Sequence, residues 1–280
     1  MDKTGGKILA RIGWLLIGLV SIVLGALGQA CSRVETSPLA TPSPARPAPP
    51  APKIDDENPG VQFDKLNTLI RDGAIEREVA RTRIIELLPK LREYFRAQGG
   101  ITSSPDDWVF PLAGYNHKAI GGINGSGYVA KGYNYFDGNK HSGHPAHDIF
   151  ISDKNQDEMD DATGRPVDVL AMRSGVVVAA AKDWSPGSAL RGGRYVYVFD
   201  PTDASLIYYA HNREIFVKPG DIVTAGTLLA TVGRSGKSAA EARSPTHLHV
   251  MRLIVEDGRP KPEDLYQILL RARTVPRRKV

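Results

Sequence analysis

The chain has 280 residues, 24% charged and 41% hydrophobic, enough to bury a sizeable core as one large domain or one domain with attachments. A single cysteine, Cys31, excludes an intrachain disulfide and a thiolate metal cluster, so any metal must be held by nitrogen and oxygen. The formal net charge of +5 suits peptidoglycan, nucleic acid and anionic lipid alike and does not choose among them.

Residues 1–30 read as a signal peptide or N-terminal membrane anchor. Lys3, Lys7 and Arg11 precede an uncharged apolar run from Ile12 to Leu27 that is short for a spanning helix, which needs roughly twenty residues. Cys31 follows the small residue Ala30 and resembles the lipid-acceptor cysteine of a bacterial lipoprotein, although Leu27 stands one place further upstream than that pattern has it. Lipidation, ordinary cleavage and an uncleaved anchor all stay open. Residues 31–60 form a linker whose Pro, Ala, Ser and Thr content cannot build a core. In polyproline conformation it extends about 3 Å per residue.

Residues 61–100 are helical in pattern. Phe63, Leu66 and Ile70 make one apolar stripe, and Ile84, Leu88, Leu91 and Phe95 another, with Asp72-Gly73 between them. Pro89 is expected to kink or restart the second helix, and Gly99-Gly100 to end it. The stripes point to packing against the next domain; a regulatory flap over a site is the other reading. Residues 101–270 then change texture to short apolar runs between turn residues. The expected strands are Asp148–Ser152, Val167–Met172, Gly175–Ala181, Arg194–Phe199, Ser205–Ala210, Thr227–Gly233 and His247–Val255. This is a mainly β, antiparallel core behind an N-terminal helical segment. The acidic stretch 153–164 reads as a surface loop, and residues 271–280 as a solvated basic tail.

Chemistry concentrates in the histidines. His247 and His249 alternate along an apolar strand and share one face. About a hundred residues upstream, His144 and Asp148 share a face if their segment is extended. Two imidazoles and a carboxylate (His144, Asp148 and His249) make a three-ligand set that leaves one position for water, as in catalytic zinc sites. His211 and His247 then remain as proton carriers or oxyanion donors. His147 points away from such a site and suits packing or a hydrogen bond. His141 reads as a loop histidine, with a substrate-side contact as the other reading, and His117 has no evident role.

His144-x-x-x-Asp148, Tyr209-Ala210-His211 and His247-Leu248-His249, in that order, resemble the motifs of the lysostaphin-type (LytM-like) zinc endopeptidases of peptidoglycan. Gly164-Arg165-Pro166-Val167, Val217-Lys218-Pro219-Gly220-Asp221 and Gly233-x-x-Gly236 resemble that family's connecting hairpins. The resemblance covers roughly Trp108 to Tyr266. It implies an antiparallel β core related to the biotinyl/lipoyl barrel hairpin. It also implies Zn2+ held by His144, Asp148 and His249, and catalytic histidines at His211 and His247. The implied substrate is the peptide cross-link of peptidoglycan, reached outside the cytoplasm in a periplasm or at the cell surface. Expected partners are peptidoglycan stem peptides, the membrane through the N-terminal anchor or a lipid on Cys31, and other cell-wall enzymes, with no nucleic acid. Some relatives are non-catalytic wall-binding proteins or amidase activators, but none of the five positions is lost here. In others an upstream asparagine occupies the metal; Asn116, Asn124, Asn134 and Asn139 are available for that.

Overall fold

A computed structural model describes residues 58–278. The export signal or anchor of 1–30, Cys31 and nearly all of the linker lie outside the described residues. So do the last two residues of the basic tail. Among the described residues no helix is long and apolar enough to cross a membrane.

Helix α1 (Pro59–Arg71) starts where Asn58 Oδ1 accepts from the amides of Gly60 and Val61, with Pro59 at the first position that needs no amide. It stops at Asp72-Gly73, where Gly73 turns left-handed at φ 68° and the Ala74 amide donates back to the Leu69 carbonyl. Helix α2 (Arg77–Ala97) runs through Pro89 without restarting. The carbonyl four residues earlier belongs to Ile85, and both residues are exposed. Water can therefore serve the group that the proline leaves unpaired. The two apolar stripes are buried as expected. They pack in one core with Val176, Val178, Phe199 and Leu206 of the sheet.

The sheet is antiparallel throughout. Its strands are β1 (His147–Phe150), β2 (Asp168–Leu170), β3 (Gly175–Ala181), β4 (Arg194–Asp200), β5 (Ser205–Ile215), β6 (Ile222–Val223), β7 (Leu228–Val232), β8 (His247–Glu256) and β9 (Arg259–Glu263). The main order is β1-β8-β5-β4-β3-β6; β7 joins β5 and β2, and β9 joins β8. A mainly β fold with a helical N-terminal segment is what the residue pattern implied. Helices α1 and α2 cover part of one sheet face. The other face buries Ile149, Val196, Val198, Ile207, Tyr209, Leu248 and Val250, together with α3 (Tyr266–Arg271).

Two strands escaped the sequence reading. β6 is only a pair of residues, and β9 carries Pro260 and Pro262, which cannot donate to a ladder. β9 accepts them because it is an edge strand whose one neighbour is β8. Strand β5 is longer than expected by five residues, from His211 to Ile215.

The acidic stretch and the basic tail also differ from expectation, and for one reason: they pair. Asp160 is buried and accepts two hydrogen bonds from the Arg277 guanidinium, at 2.9 and 2.7 Å, and one from the Tyr115 hydroxyl. Arg278 grips Asp168 in the same bidentate way, and Arg273 pairs with Asp107. Asp153 is buried too, accepting from the amides of Asp157 and Glu158 and from the Thr246 hydroxyl. The tail is thus held against the body.

Burial alone would raise the Asp160 carboxyl, but hydrogen bonds from Arg277, Tyr115 and Thr163 hold it below the usual carboxylate range. A carboxyl with a lowered folded pKa stabilises above its unfolded value near 4 and loses that contribution as pH falls through the folded value. Arg277→Ala is therefore expected to cost about 1 kcal/mol at neutral pH, because its side chain is a third exposed. The cost should shrink as pH falls through the folded value. Urea denaturation over a descending pH series measures it, and a deficit that stays constant would be contrary.

Candidate metal centre

Register brings the upstream carboxylate to the downstream histidine. β1 pairs with β8 so that Asp148 lies opposite His249 and Phe150 opposite His247. Directly opposite residues share a face, with Cβ atoms about 5 Å apart. On its other side β8 pairs with β5, placing Ala210 opposite His249.

His211 comes next in β5, in a left-handed backbone at φ 67°. Up to Ala210 the strand pairs with β8; from Asn212 onward it pairs with β7. His211 is the unpaired residue at that change of partner, and the bend turns its ring toward β8. The ring centroid lies 4.9 Å from that of His247 and 5.4 Å from that of His249. His144 precedes β1 and sits in an isolated bridge to Val129, so the segment 144–148 is not one continuous strand. Its ring still reaches the cluster, 4.8 Å from that of His249.

The ligand atoms converge. His144 Nε2 lies 3.3 Å and His249 Nδ1 3.1 Å from the same oxygen, Asp148 Oδ1. Donors bound at about 2.0–2.1 Å to one tetrahedral ion stand about 3.3 Å apart, so the spacing fits a zinc-sized cation. One ligand atom from each of the three lies within 4.8 Å of the others. His247 Nε2 approaches Asp148 Oδ1 at 3.7 Å.

Backbone carbonyls orient three of the imidazoles. His144 Nδ1 donates to Gly127 at 2.8 Å, His211 Nδ1 to Ser235 at 2.7 Å, and His247 Nδ1 to Pro245 at 2.7 Å. With that contact made, Nε2 is the ring atom each turns to the cluster; His144 Nε2 shares its proton with Asp148, and a cation would take that proton's place. Burial pushes His211 down to about 3, and the charges at His249 and His247 add to this. Burial also lowers His249. The hydrogen bond to Asp148 raises His144. Burial would raise Asp148, but hydrogen bonds from His144 and His249 hold it far below its usual range. An ionised carboxylate beside the lowered His211 and His249 imidazoles suits a metal, whose ligands must be deprotonated.

The remaining histidines stand apart. His147 is buried against Tyr128, with Nε2 2.8 Å from Asp264 Oδ1. His141 stands on the cleft wall, edge-on to Tyr133, and His117 lies exposed in a short 3-10 turn. The side chains of Asn116 and Asn134 cap 3-10 turns, whereas Asn139 lines the cleft.

The cluster lines a cleft of about 320 Å³. Tyr195, Tyr197 and Tyr208 of the sheet form its floor, and Tyr133, Tyr135 and, from α1, Asn67, Ile70 and Arg71 also line it. The alternation Tyr195-Val196-Tyr197-Val198 already put two of these on one face, a signal the sequence reading left unused. Asn67 and Arg71 donate to the Tyr195 hydroxyl, and the Tyr135 hydroxyl donates to Asn67. The helical segment is thus both core packing and part of the cleft.

Residues 157–260 match the family model of peptidase family M23. That segment is similar to peptidase family M23. It includes His211, His247 and His249; His144 and Asp148 precede it. Among solved structures, the chain is similar to lysostaphin from Staphylococcus simulans, at 21% identity over 60% of this chain and 55% of that one, TM-score 0.37. It is also similar to the separate catalytic domain of lysostaphin, at 18% identity over 61% of this chain and 93% of that one, TM-score 0.32. A protein of Ruminococcus gnavus described as a lytM glycyl-glycine endopeptidase matches at 22% identity over 78% of this chain and 83% of that one, TM-score 0.40. No curated protein matches.

Gly236 follows Ser235, whose carbonyl holds His211. Its φ is +115°, and a Cβ there would lie 2.7 Å from both the Arg191 carbonyl oxygen and His211 Nδ1. Gly236→Ala is expected to leave the domain folded but to shift the Arg191 main chain and His211 and cut turnover about 10²-fold. Thermal melting together with hydrolysis rates reads both halves; full activity would be the contrary result.

Proposed function

We propose that the protein is an exported zinc-dependent endopeptidase that hydrolyses peptide cross-links of bacterial peptidoglycan. The observation carrying this reading is the meeting of His144 Nε2, Asp148 Oδ1 and His249 Nδ1 in a peptide-sized cleft, beside His211 and His247. The match of residues 157–260 to peptidase family M23 supports it. The three ligand residues would hold the ion, which when bound polarises the scissile carbonyl and makes its water acidic.

The chain's own residues do the rest. Asp148, ionised and wedged between imidazoles, supplies the negative charge of the site. His211 and His247 present Nε2 from rings locked by the Ser235 and Pro245 carbonyls. At that atom each ring can take a proton from the attacking water, or return one to the leaving amine or to the oxyanion. The tyrosine floor gives an extended peptide flat, water-poor surface. Export and tethering rest on the positive start, the apolar run and Cys31. On this reading the enzyme works in a periplasm or at the cell surface, held by an N-terminal anchor or lipid.

The test is release of soluble muropeptides from purified cell wall. Release that stops with chelator and returns with added zinc is expected. Digestion indifferent to chelation would refute the zinc-dependent reading.

A further inference from the structure

Among the described residues lining the cleft, Asp148 is the one carboxylate, and it belongs to the metal cluster. Two guanidinium groups line it. The charge of Arg71 is already met: Nε and Nη2 donate to the two oxygens of Asp72, at 2.7 and 2.8 Å, and Nη1 donates to the Tyr195 hydroxyl. Arg191 is different. Its Nη1 donates to the backbone carbonyls of Asn139 and His141, at 3.2 and 2.7 Å. No carboxylate among the described residues pairs with Arg191, and its Nε and Nη2 have no partner there.

The main chain at Arg191 adjoins the histidine cluster. The Arg191 carbonyl accepts from the Lys237 amide, and the Gly192 carbonyl accepts from the amide of His211. The side chain reaches across to the wall that leads into His144. One corner of the guanidinium is therefore fixed while its Nε–Nη2 edge is unengaged, and that edge is the one that grips a carboxylate with two parallel hydrogen bonds. Holding the group in advance lowers the entropy lost when ligand binds. A guanidinium without a carboxylate partner also favours an anionic ligand beside it.

We infer that Arg191 takes a carboxylate of the peptide substrate close to the scissile bond. The substrate class is then a peptide that carries a free carboxylate near the scissile bond, as a stem peptide does, rather than an uncharged bridge. Arg191 is a specificity-determining residue. The inference rests on the peptidase reading of the same site but is tested without turnover.

The full chain, stripped of metal by chelator, is titrated calorimetrically with a synthetic stem tetrapeptide and with the same peptide fully converted to carboxamides. The wild type is expected to bind the carboxylate form about tenfold or more tightly. Arg191→Gln should lose that preference while keeping the wild-type affinity for the carboxamide, and Arg191→Lys should keep part of it. Equal binding of both peptides by the wild type, or binding of neither, overturns the inference. So does a preference that survives in Arg191→Gln, or a loss of affinity for both peptides in that variant, which would make Arg191 a mere prop for the wall. If the preference is found but no cell wall is digested with zinc present, the hydrolase reading fails and the anion site stands.

Discussion

Replacing His249 by alanine is expected to remove both zinc and turnover, whereas His247→Ala should keep one equivalent of zinc and lose about 10²–10⁴ in rate. The two histidines are two residues apart on one face of β8, yet their roles separate by geometry. His249 Nδ1 lies 3.1 Å from Asp148 Oδ1, the spacing of two ligands on one ion. His247 stands at 3.7 Å and faces His211. Losing His249 leaves one imidazole and one carboxylate, too few for a closed set. Losing His247 leaves the three donors intact and removes a proton carrier. Metal analysis of the purified variants and muropeptide release together read the difference. Equal zinc contents with normal digestion in both would contradict the assignment.

The largest expected effect on stability lies outside the cleft. Arg173 and Asp200 are both buried, joined by a 2.8 Å hydrogen bond from Nε. Arg173 Nη1 also donates to the Ser104 carbonyl at 2.5 Å, and the guanidinium stacks 4.7 Å over the Trp108 ring. Asp200 accepts from the Thr202 amide at 2.8 Å. Such a pair gives little net stability because both ions were taken from water, but removing one partner strands a buried charge. Asp200→Ala is therefore expected to cost about 3–5 kcal/mol. A double replacement with apolar residues of similar volume should cost clearly less. Urea denaturation of the three proteins decides it; a single-variant loss below about 1 kcal/mol would be contrary.

Much of the fold was legible because the sheet's alternation is local information. Gly175–Ala181 and His247–Val255 declare their strands by period and β-branching, and the helical stripes declare their buried faces. What stayed hidden depends on partners far along the chain. Nothing near Asp160 announces that Arg277 will bury its charge. Pro260 and Pro262 argue against a strand until β9 is known to lie at an edge. In the site, the order of His144, Asp148, His211, His247 and His249 suggested a shared centre, and the structure brings all five together. The change of pairing partner that aims His211, and the carbonyls of Gly127, Ser235 and Pro245 that set the rings, leave no trace in residue type. Neither does the free edge of Arg191, since its exposure depends on where every carboxylate ends up.

The account turns on one cation held by residues from β1, β8 and the segment before β1. Crystals grown with zinc and measured on both sides of its absorption edge test this most directly. The account predicts one anomalous peak, within about 2.0–2.2 Å of His144 Nε2, Asp148 Oδ1 and His249 Nδ1. A zinc-replete crystal with no peak there, or with its peak at other residues, would contradict it.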